Sequence, residues 1–563
     1  MKILLLVTAF NGLSQRVWSD LRSKKHDVEV LVFQNEAQIE KEINDYIPDL
    51  IVAPYLKSVI PSNIYRQYKC LIVHPGIKGD RGPSSLDWAI MKQEEIWGVT
   101  IVEASKEMDA GNIWASRTFP MRDVSKSNLY RHEVAQAATE CVAEAIEKFI
   151  TNPSYQGEPL DYAKPDVKGE LHPAIKRKDR KIDWLAPSAD IIRKIKAGDS
   201  NPGVLDNILG EEYFLFGAHL EGKLKGKPKE ILAQRHGAIC IGTKDGAIWI
   251  SHLKKKSGGF KLPATVAIGN KSTHIPHAML SLTETYQQRP TFKEIKITKE
   301  GNIAYLHFDF YNGAMGTDQC RRLIQALKFV KQLPVKVVVL MGDADIWSNG
   351  IHLNLIENAL SPAEESWANI NAMNDLVREV IITDKQITIS AMQGNAGAGG
   401  AILALAADYV FAREGVVLNP HYKKMGLFGS EYWTYLLPKR VGPIIAEHII
   451  QSCEPISAFD ARQLNLINDT FGKDINSFVS ETKNRAISMT ANNIWLELIR
   501  IKHHQRKADE KQKPLAEYRK KELERMYQNF FDPESIYHTL RHQFVHKISC
   551  GVSHPTHTPE YNI

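Results

Sequence analysis

Short runs built almost wholly of Val, Ile and Leu recur in two separate stretches of this chain, and they constrain its fold more than any other feature. In the first stretch they fall at residues 2–8, 28–33, 50–54, 70–74 and 99–104. In the second they fall at 303–310, 335–341, 388–392 and 409–412. Strands that are apolar on both faces belong to parallel sheets covered by helices. Each stretch therefore predicts an α/β unit whose ligands gather at the carboxyl ends of its strands. The length agrees, since 563 residues exceed what one hydrophobic core serves.

The intervening sequence divides the chain further. A helix is expected over 127–150, then a linker over 151–185 that carries the basic run Lys176-Arg177-Lys178. Glycines split short apolar strands over 186–275, as in HGAICIGTKDGAIWISHL, which predicts a small β-barrel-like domain. Pro276 and Pro290 mark a second boundary, and the chain ends in charged, helical sequence. The expected layout is α/β multidomain. It has a Rossmann-like domain over 1–155, a linker and small β domain over 156–280, and an α/β domain with C-terminal helices over 281–563.

Composition narrows the function classes. The chain is 43% hydrophobic and 24% charged, as ordinary globular proteins are. No run approaches the roughly 20 apolar residues of a membrane span. The start, MKILLLVTAF, is expected to be a buried first strand rather than a leader, because Asn11-Gly12 follows with no small-residue cleavage site. Six cysteines without a CxxC pair predict free thiols in a reducing, cytoplasmic compartment. A net charge of +6 is too small to predict a nucleic-acid partner, but it suits a polyanionic cofactor.

Two segments of the first unit carry chemistry. One runs Leu71-Ile72-Val73-His74-Pro75-Gly76 and on to Arg81-Gly82-Pro83-Ser84-Ser85; the other is Glu107-Met108-Asp109-Ala110-Gly111. A His-Pro at a strand end sets an imidazole at the mouth of the sheet, and an Asp-x-Gly turn brings a carboxylate beside it. Such a pair holds a tetrahedral intermediate and shuttles its proton. Together these motifs resemble the folate-dependent formyltransferases, and the sequence to about residue 275 is similar to the linker and C-terminal domain of methionyl-tRNA formyltransferases. The resemblance implies N10-formyl-tetrahydrofolate as substrate, His74 and Asp109 as catalytic residues, and Arg81 and Gly82 among the cofactor-binding residues. The family's catalytic Asn is replaced by Ile72, which puts ordinary formyl transfer to an amine in doubt.

The second unit carries two glycine-bearing turns. Ala344-Asp345-Ile346-Trp347-Ser348-Asn349-Gly350-Ile351-His352 follows one strand, and Gln393-Gly394-Asn395-Ala396-Gly397-Ala398-Gly399-Gly400 follows another. Small residues let backbone amides approach a ligand, and two such turns opening into helices can aim two N–H groups at one carbonyl oxygen. In this order they resemble the crotonase (enoyl-CoA hydratase/isomerase) superfamily over about 296–545. That resemblance implies coenzyme A. It places the oxyanion hole on the Ile351 and Gly399 amides and puts Ser348, Gly350, Gly397 and Ala398 among the cofactor-binding residues. His352 stands for the usual Asp, and Ile402 and His421 stand where hydratases carry glutamates, so water addition is not expected. Tyr422 and Glu431 are the proton-transfer candidates, with Glu431 alternatively a solvated helix-start residue. His538, His542 and His546 share one helix face with Cys550, His554 and His557 beyond, but no carboxylate accompanies them in sequence and no metal is expected.

A formyltransferase-like half fused to a crotonase-like half, with both departures, resembles the HypX/HoxX family of hydrogenase maturation factors. The resemblance implies an enzyme that moves a formyl group from folate to coenzyme A and decarbonylates formyl-CoA, the carbon monoxide becoming a hydrogenase ligand. Maturation proteins or the hydrogenase large subunit are then the protein partners. The alternatives are a formyltransferase acting on an amine or tRNA fused to an unrelated acyl-CoA enzyme, and a non-catalytic folate- and CoA-binding scaffold.

Overall fold

The computed structural model describes residues 1–281 and 290–548. Cys550, His554 and His557 lie outside the described residues. The described chain forms two compact units, one comprising Met1–Ala218 with Thr243–Asp245, the other His219–Gly242 and the described residues between 246 and 548.

The first unit is built on six strands: β1 (Lys2–Val7), β2 (Asp27–Val32), β3 (Leu50–Ala53), β4 (Cys70–His74), β5 (Ile96–Glu103) and β6 (Ile113–Pro120), in the order β2-β1-β3-β4-β5-β6. The first four run parallel, as their apolar runs predict. β5 departs from that expectation and pairs antiparallel with both β4 and β6. The hairpin between β5 and β6 is too short for a crossover, so only antiparallel pairing is open to it. β6 escapes the sequence reading because its outer half is exposed and lacks a continuous apolar run. The expected helix over 127–150 exists, but it begins as Lys126–Leu129, passes through a π-helical turn at Tyr130–Val134 and continues as Ala135–Thr151. Later in this unit β7 (Val204–Ile208) pairs with the first half of β8 (Glu211–Glu221), Val204 lying opposite Leu215.

The second unit opens with β9 (Ile231–Arg235), β10 (Ala238–Gly242), β11 (Ala247–Lys255) and the short β12 (Leu262–Pro263). β10 and β11 pair antiparallel, with Ile239 opposite Ile250, so the glycine-split sequence is the expected pair of strands. A second sheet contains β13 (Ile295–Glu300), β14 (Ile303–Phe308), β15 (Val337–Gly342), β17 (Ile387–Met392), β19 (Tyr409–Arg413) and β22 (Asp469–Phe471), in that order. All its pairs are parallel except β13–β14. Beside it lies a small sheet of β16 (Ile346–Ser348), β18 (Asn395–Gly397), β20 (Val417–Asn419) and β21 (Ile456–Ser457).

This small sheet positions the second site. β16 and β18 run parallel with Ser348 opposite Ala396, so the two glycine-bearing turns leave neighbouring strands in the same direction. Each then enters a helix, Leu353–Asn358 or Gly399–Leu405. The five described cysteines are buried free thiols. No helix among the described residues is long and apolar enough to cross a membrane.

Candidate active sites

In the first unit the end of β4 and the β5–β6 turn bring His74 and Asp109 together, with His74 Nδ1 3.4 Å from Asp109 Oδ2. The opposite ring nitrogen meets a second carboxylate, since His74 Nε2 lies 2.8 Å from Asp80 Oδ2. Asp80 in turn faces His172, whose Nδ1 is 3.0 Å from Asp80 Oδ1. The result is a row of alternating carboxylate and imidazole groups, Asp109, His74, Asp80 and His172, of which His74, Asp80 and His172 are buried. Asp80 hydrogen-bonds one ring nitrogen and orients the imidazole, while the other nitrogen faces Asp109 and is placed to accept and return a proton.

The backbone enforces this row. A Cβ at Gly76 would meet Asp80 Oδ2 at 2.3 Å and His74 Nε2 at 2.6 Å, so only glycine admits the pair. Asp109 adopts a left-handed φ of 54°. Its turn is held by Arg81, whose Nε donates to Met108 O at 3.0 Å and whose guanidinium pairs with Glu107 at 3.0 Å. Gly82 N–H donates to Asp109 Oδ2 at 3.1 Å. Arg81 and Gly82 therefore fix the Asp109 turn in this structure. The segment carrying His172 runs alongside Arg81, with His172 N–H donating to Arg81 O at 2.9 Å.

The residue at the family's Asn position, Ile72, packs among apolar side chains. Asn11 caps the helix Gly12–Ser23, accepting from Ser14 N–H. Tyr130, in the π turn, has its phenol held protonated by burial, reinforced by Tyr55, Asp87 and Asp109. Sequence reasoning missed Asp80, His172 and Tyr130. The only signal for Asp80 was its place in Gly79-Asp80-Arg81-Gly82, and His172 lies in the linker.

In the second unit the two turns meet. An ideal Cβ on Gly350, which has a φ of 74°, would stand 3.1 Å from the Gly399 nitrogen. Gly399 is the first residue of its helix, after Ala398 with a φ of 44°. Among the described residues neither the Ile351 nor the Gly399 N–H donates to a protein acceptor, leaving both as donors for a ligand oxygen. Ser348 and Gly350 shape the turn: the buried Ser348 hydroxyl accepts from Gly350 N–H at 3.1 Å. Gly397 lies tight against Asn349 and His421.

Glu431 is no solvated helix start; it is 1% exposed. Its carboxylate accepts from Tyr422 O–H at 2.8 Å and from Ser430 N–H at 3.2 Å. Burial pushes its pKa up to about 8, against the lowering effect of the Tyr422 hydrogen bond. Tyr422 is raised well above its ordinary value by burial and by Glu431. Glu431 and Tyr432 both take left-handed φ values, 63° and 64°. This turn is locked from outside: Asn374 Oδ1 accepts from Glu431 N–H at 2.9 Å, and Glu522 accepts from Tyr432 N–H and Thr434 N–H, each at 2.9 Å. Glu522, absent from the sequence reading, is itself raised to about 7 by burial.

The replaced positions have other roles. His352 caps its helix, its Nδ1 accepting from Leu355 N–H, and burial lowers its pKa to about 4. Ile402 is core. The His421 ring meets Asn419 O at 2.7 Å, and burial lowers its pKa.

The comparisons with known proteins follow the same division. Family models for Formyl transferase, for Formyl transferase, C-terminal domain and for Enoyl-CoA hydratase/isomerase match residues 24–146, 174–265 and 298–549. The hydrogenase maturation factor HoxX of Bradyrhizobium diazoefficiens is 40% identical over 97% of this chain and 95% of its own. The chain belongs to the HypX/HoxX family of hydrogenase maturation factors. The crystal structure of Aquifex aeolicus HypX in complex with tetrahydrofolic acid superposes with a TM-score of 0.93 at 43% identity, covering 98% of this chain and 97% of that one. A methionyl-tRNA formyltransferase of Geobacter sulfurreducens is 22% identical over 43% of this chain and 75% of its own. Membership of the HypX/HoxX family joins the two sites in one maturation factor.

Proposed function

We propose that this HypX/HoxX protein makes carbon monoxide from a folate-borne formyl group in two steps. At the first site the thiol of coenzyme A attacks the formyl carbon of N10-formyl-tetrahydrofolate. His74, oriented by Asp109 and Asp80, accepts the thiol proton and returns it to the departing N10 nitrogen. The products are formyl-CoA and tetrahydrofolate. At the second site the formyl oxygen rests on the Ile351 and Gly399 amides. Glu431 removes the formyl proton, the C–S bond breaks, and carbon monoxide leaves as the thiolate takes up a proton. No electrons are gained or lost overall.

One observation supports this reading above the others: a buried carboxylate with a pKa near neutrality, paired with Tyr422, lies against one of the two free amides while the hydratase carboxylate positions hold Ile402 and His421. A base beside the acyl carbon suits proton abstraction, and a site without the second carboxylate does not suit water addition.

Supplying the protein with formyl-labelled N10-formyl-tetrahydrofolate and coenzyme A tests it. Labelled carbon monoxide, trapped by a haem protein, is expected. A formylated amine or tRNA without carbon monoxide sinks the reading, as does carbon monoxide output unchanged by replacing both His74 and Glu431. The Aquifex protein's complex with tetrahydrofolic acid supports folate as a ligand, and the hydrogenase is the proposed acceptor of the product.

A further inference from the structure

Helical spacing aligns His538, His542 and His546 but offers no carboxylate, and the fold supplies one from elsewhere. Glu357, near the end of the helix Leu353–Asn358, lies against the C-terminal helix Ile536–His546. His542 Nδ1 is 2.7 Å and His546 Nε2 3.4 Å from the same Glu357 oxygen, Oε1. One donor atom from each of the three residues falls within 4.8 Å of the others. Donors bound about 2.0–2.2 Å from a tetrahedral divalent ion stand roughly 3.4 Å apart, so small side-chain rotations close this group on one.

The surroundings fit a ligand set. Arg541 Nε donates to Glu357 Oε2 at 2.7 Å, which holds the carboxylate in place and leaves Oε1 for an ion. Phe260 packs edge-on against the His546 ring, with centroids 5.2 Å apart. The His542 and His546 side chains are 52% and 33% exposed, so an ion has access. His538 belongs to a different set, its Nε2 meeting Asp532 O at 3.0 Å.

We propose that Glu357, His542 and His546 bind a divalent cation of the zinc type, with water as the fourth ligand. Two imidazoles and one carboxylate oxygen are a borderline donor set that zinc prefers over magnesium or calcium. This replaces the expectation of no metal, which rested on the missing carboxylate. The ion would clip the helix Leu353–Asn358, which follows directly on Ile351 and His352, to the C-terminal helix. It would thereby steady the turn that carries one of the two amides of the second site.

Tag-free, full-length protein stripped with chelator and dialysed is titrated with zinc chloride by calorimetry, and separately with cobalt(II). One equivalent of zinc, a tetrahedral cobalt spectrum and a rise in Tm with zinc are expected. His542→Ala and His546→Ala should each weaken zinc binding at least about tenfold and abolish the cobalt bands. Both residues are partly exposed, so circular dichroism should show the fold kept. The absence of stoichiometric zinc binding overturns the proposal, and so does binding that survives the double variant His542→Ala/His546→Ala.

Discussion

The Glu431 carboxylate lies directly over Gly399: a methyl group on Gly399 would stand 2.1 Å from Glu431 Oε1. The proposed base and the proposed oxyanion donor are therefore one construction, and either can be disturbed through the other. Gly399→Ala keeps the amide but forces the carboxylate aside. Carbon monoxide release from formyl-CoA is expected to fall by roughly 100-fold, the scale of displacing a general base, while formyl transfer from folate to coenzyme A is unchanged. Assaying the two half-reactions separately checks this.

As the proposed base, Glu431 would act only when ionised, and burial pushes its pKa up to about 8. With chemistry rate-limiting, carbon monoxide release should rise with pH up to about 8 and level off above it. Glu431→Gln should abolish the reaction at every pH. The same group bears on stability, with the opposite sign to a salt-bridged carboxylate. Its folded pKa lies above its ordinary 4.5, so the native state loses stability as pH rises from about 4.5 to about 8. Glu431→Gln should thus raise stability by a few kcal/mol at pH 8 and leave it nearly unchanged at pH 4, as denaturant titrations at the two pH values would show.

Glu522 contributes to the raised pKa of Glu431 through its negative charge. Glu522→Gln should therefore move the rising limb of the pH–rate profile toward lower pH. The same change weakens the anchoring of Tyr432 N–H and Thr434 N–H, so Tm should fall. An unmoved limb with a lowered Tm would leave Glu522 a purely structural group.

Asp80 partners two imidazoles at once, His74 and His172. Asp80→Ala leaves both buried rings short of a partner and should cost about 3 kcal/mol of stability. Asp80→Asn keeps the shape and a hydrogen-bond partner while removing the charge. It should slow formyl transfer by about 100-fold with a much smaller change in Tm, and leave decarbonylation of supplied formyl-CoA untouched.

The parts legible in sequence are those whose physics is local. Parallel strands announce themselves as apolar runs, and the turns at Gly350 and Gly399 as clustered small residues. His74, Asp109, Tyr422 and Glu431 stand in recognisable motifs, and the structure brings each pair together. What stayed hidden depends on contacts between distant segments. His172 reaches Asp80 across the linker, Glu522 reaches the Tyr432 turn from a late helix, and Glu357 reaches His542 from near the oxyanion turn. β6 was invisible because an edge strand half open to solvent carries no continuous apolar signal. Arg81, read from resemblance as a cofactor residue, pairs with Glu107 on the Asp109 turn.

The paired left-handed residues Glu431 and Tyr432 have a consequence for the order in which the protein matures. Such a conformation persists only where its surroundings over-determine it. Here the bonds that hold it come from Asn374, already made, and from Glu522, some ninety positions further on. A chain emerging amino-terminus first carries the oxyanion turns, Tyr422 and Glu431 well before it carries Glu522. The proposed base thus takes its working position only after Glu522 has been added, and a chain truncated before the helix Leu515–Phe531 would have every proposed reacting group of the second site but no fixed geometry among them.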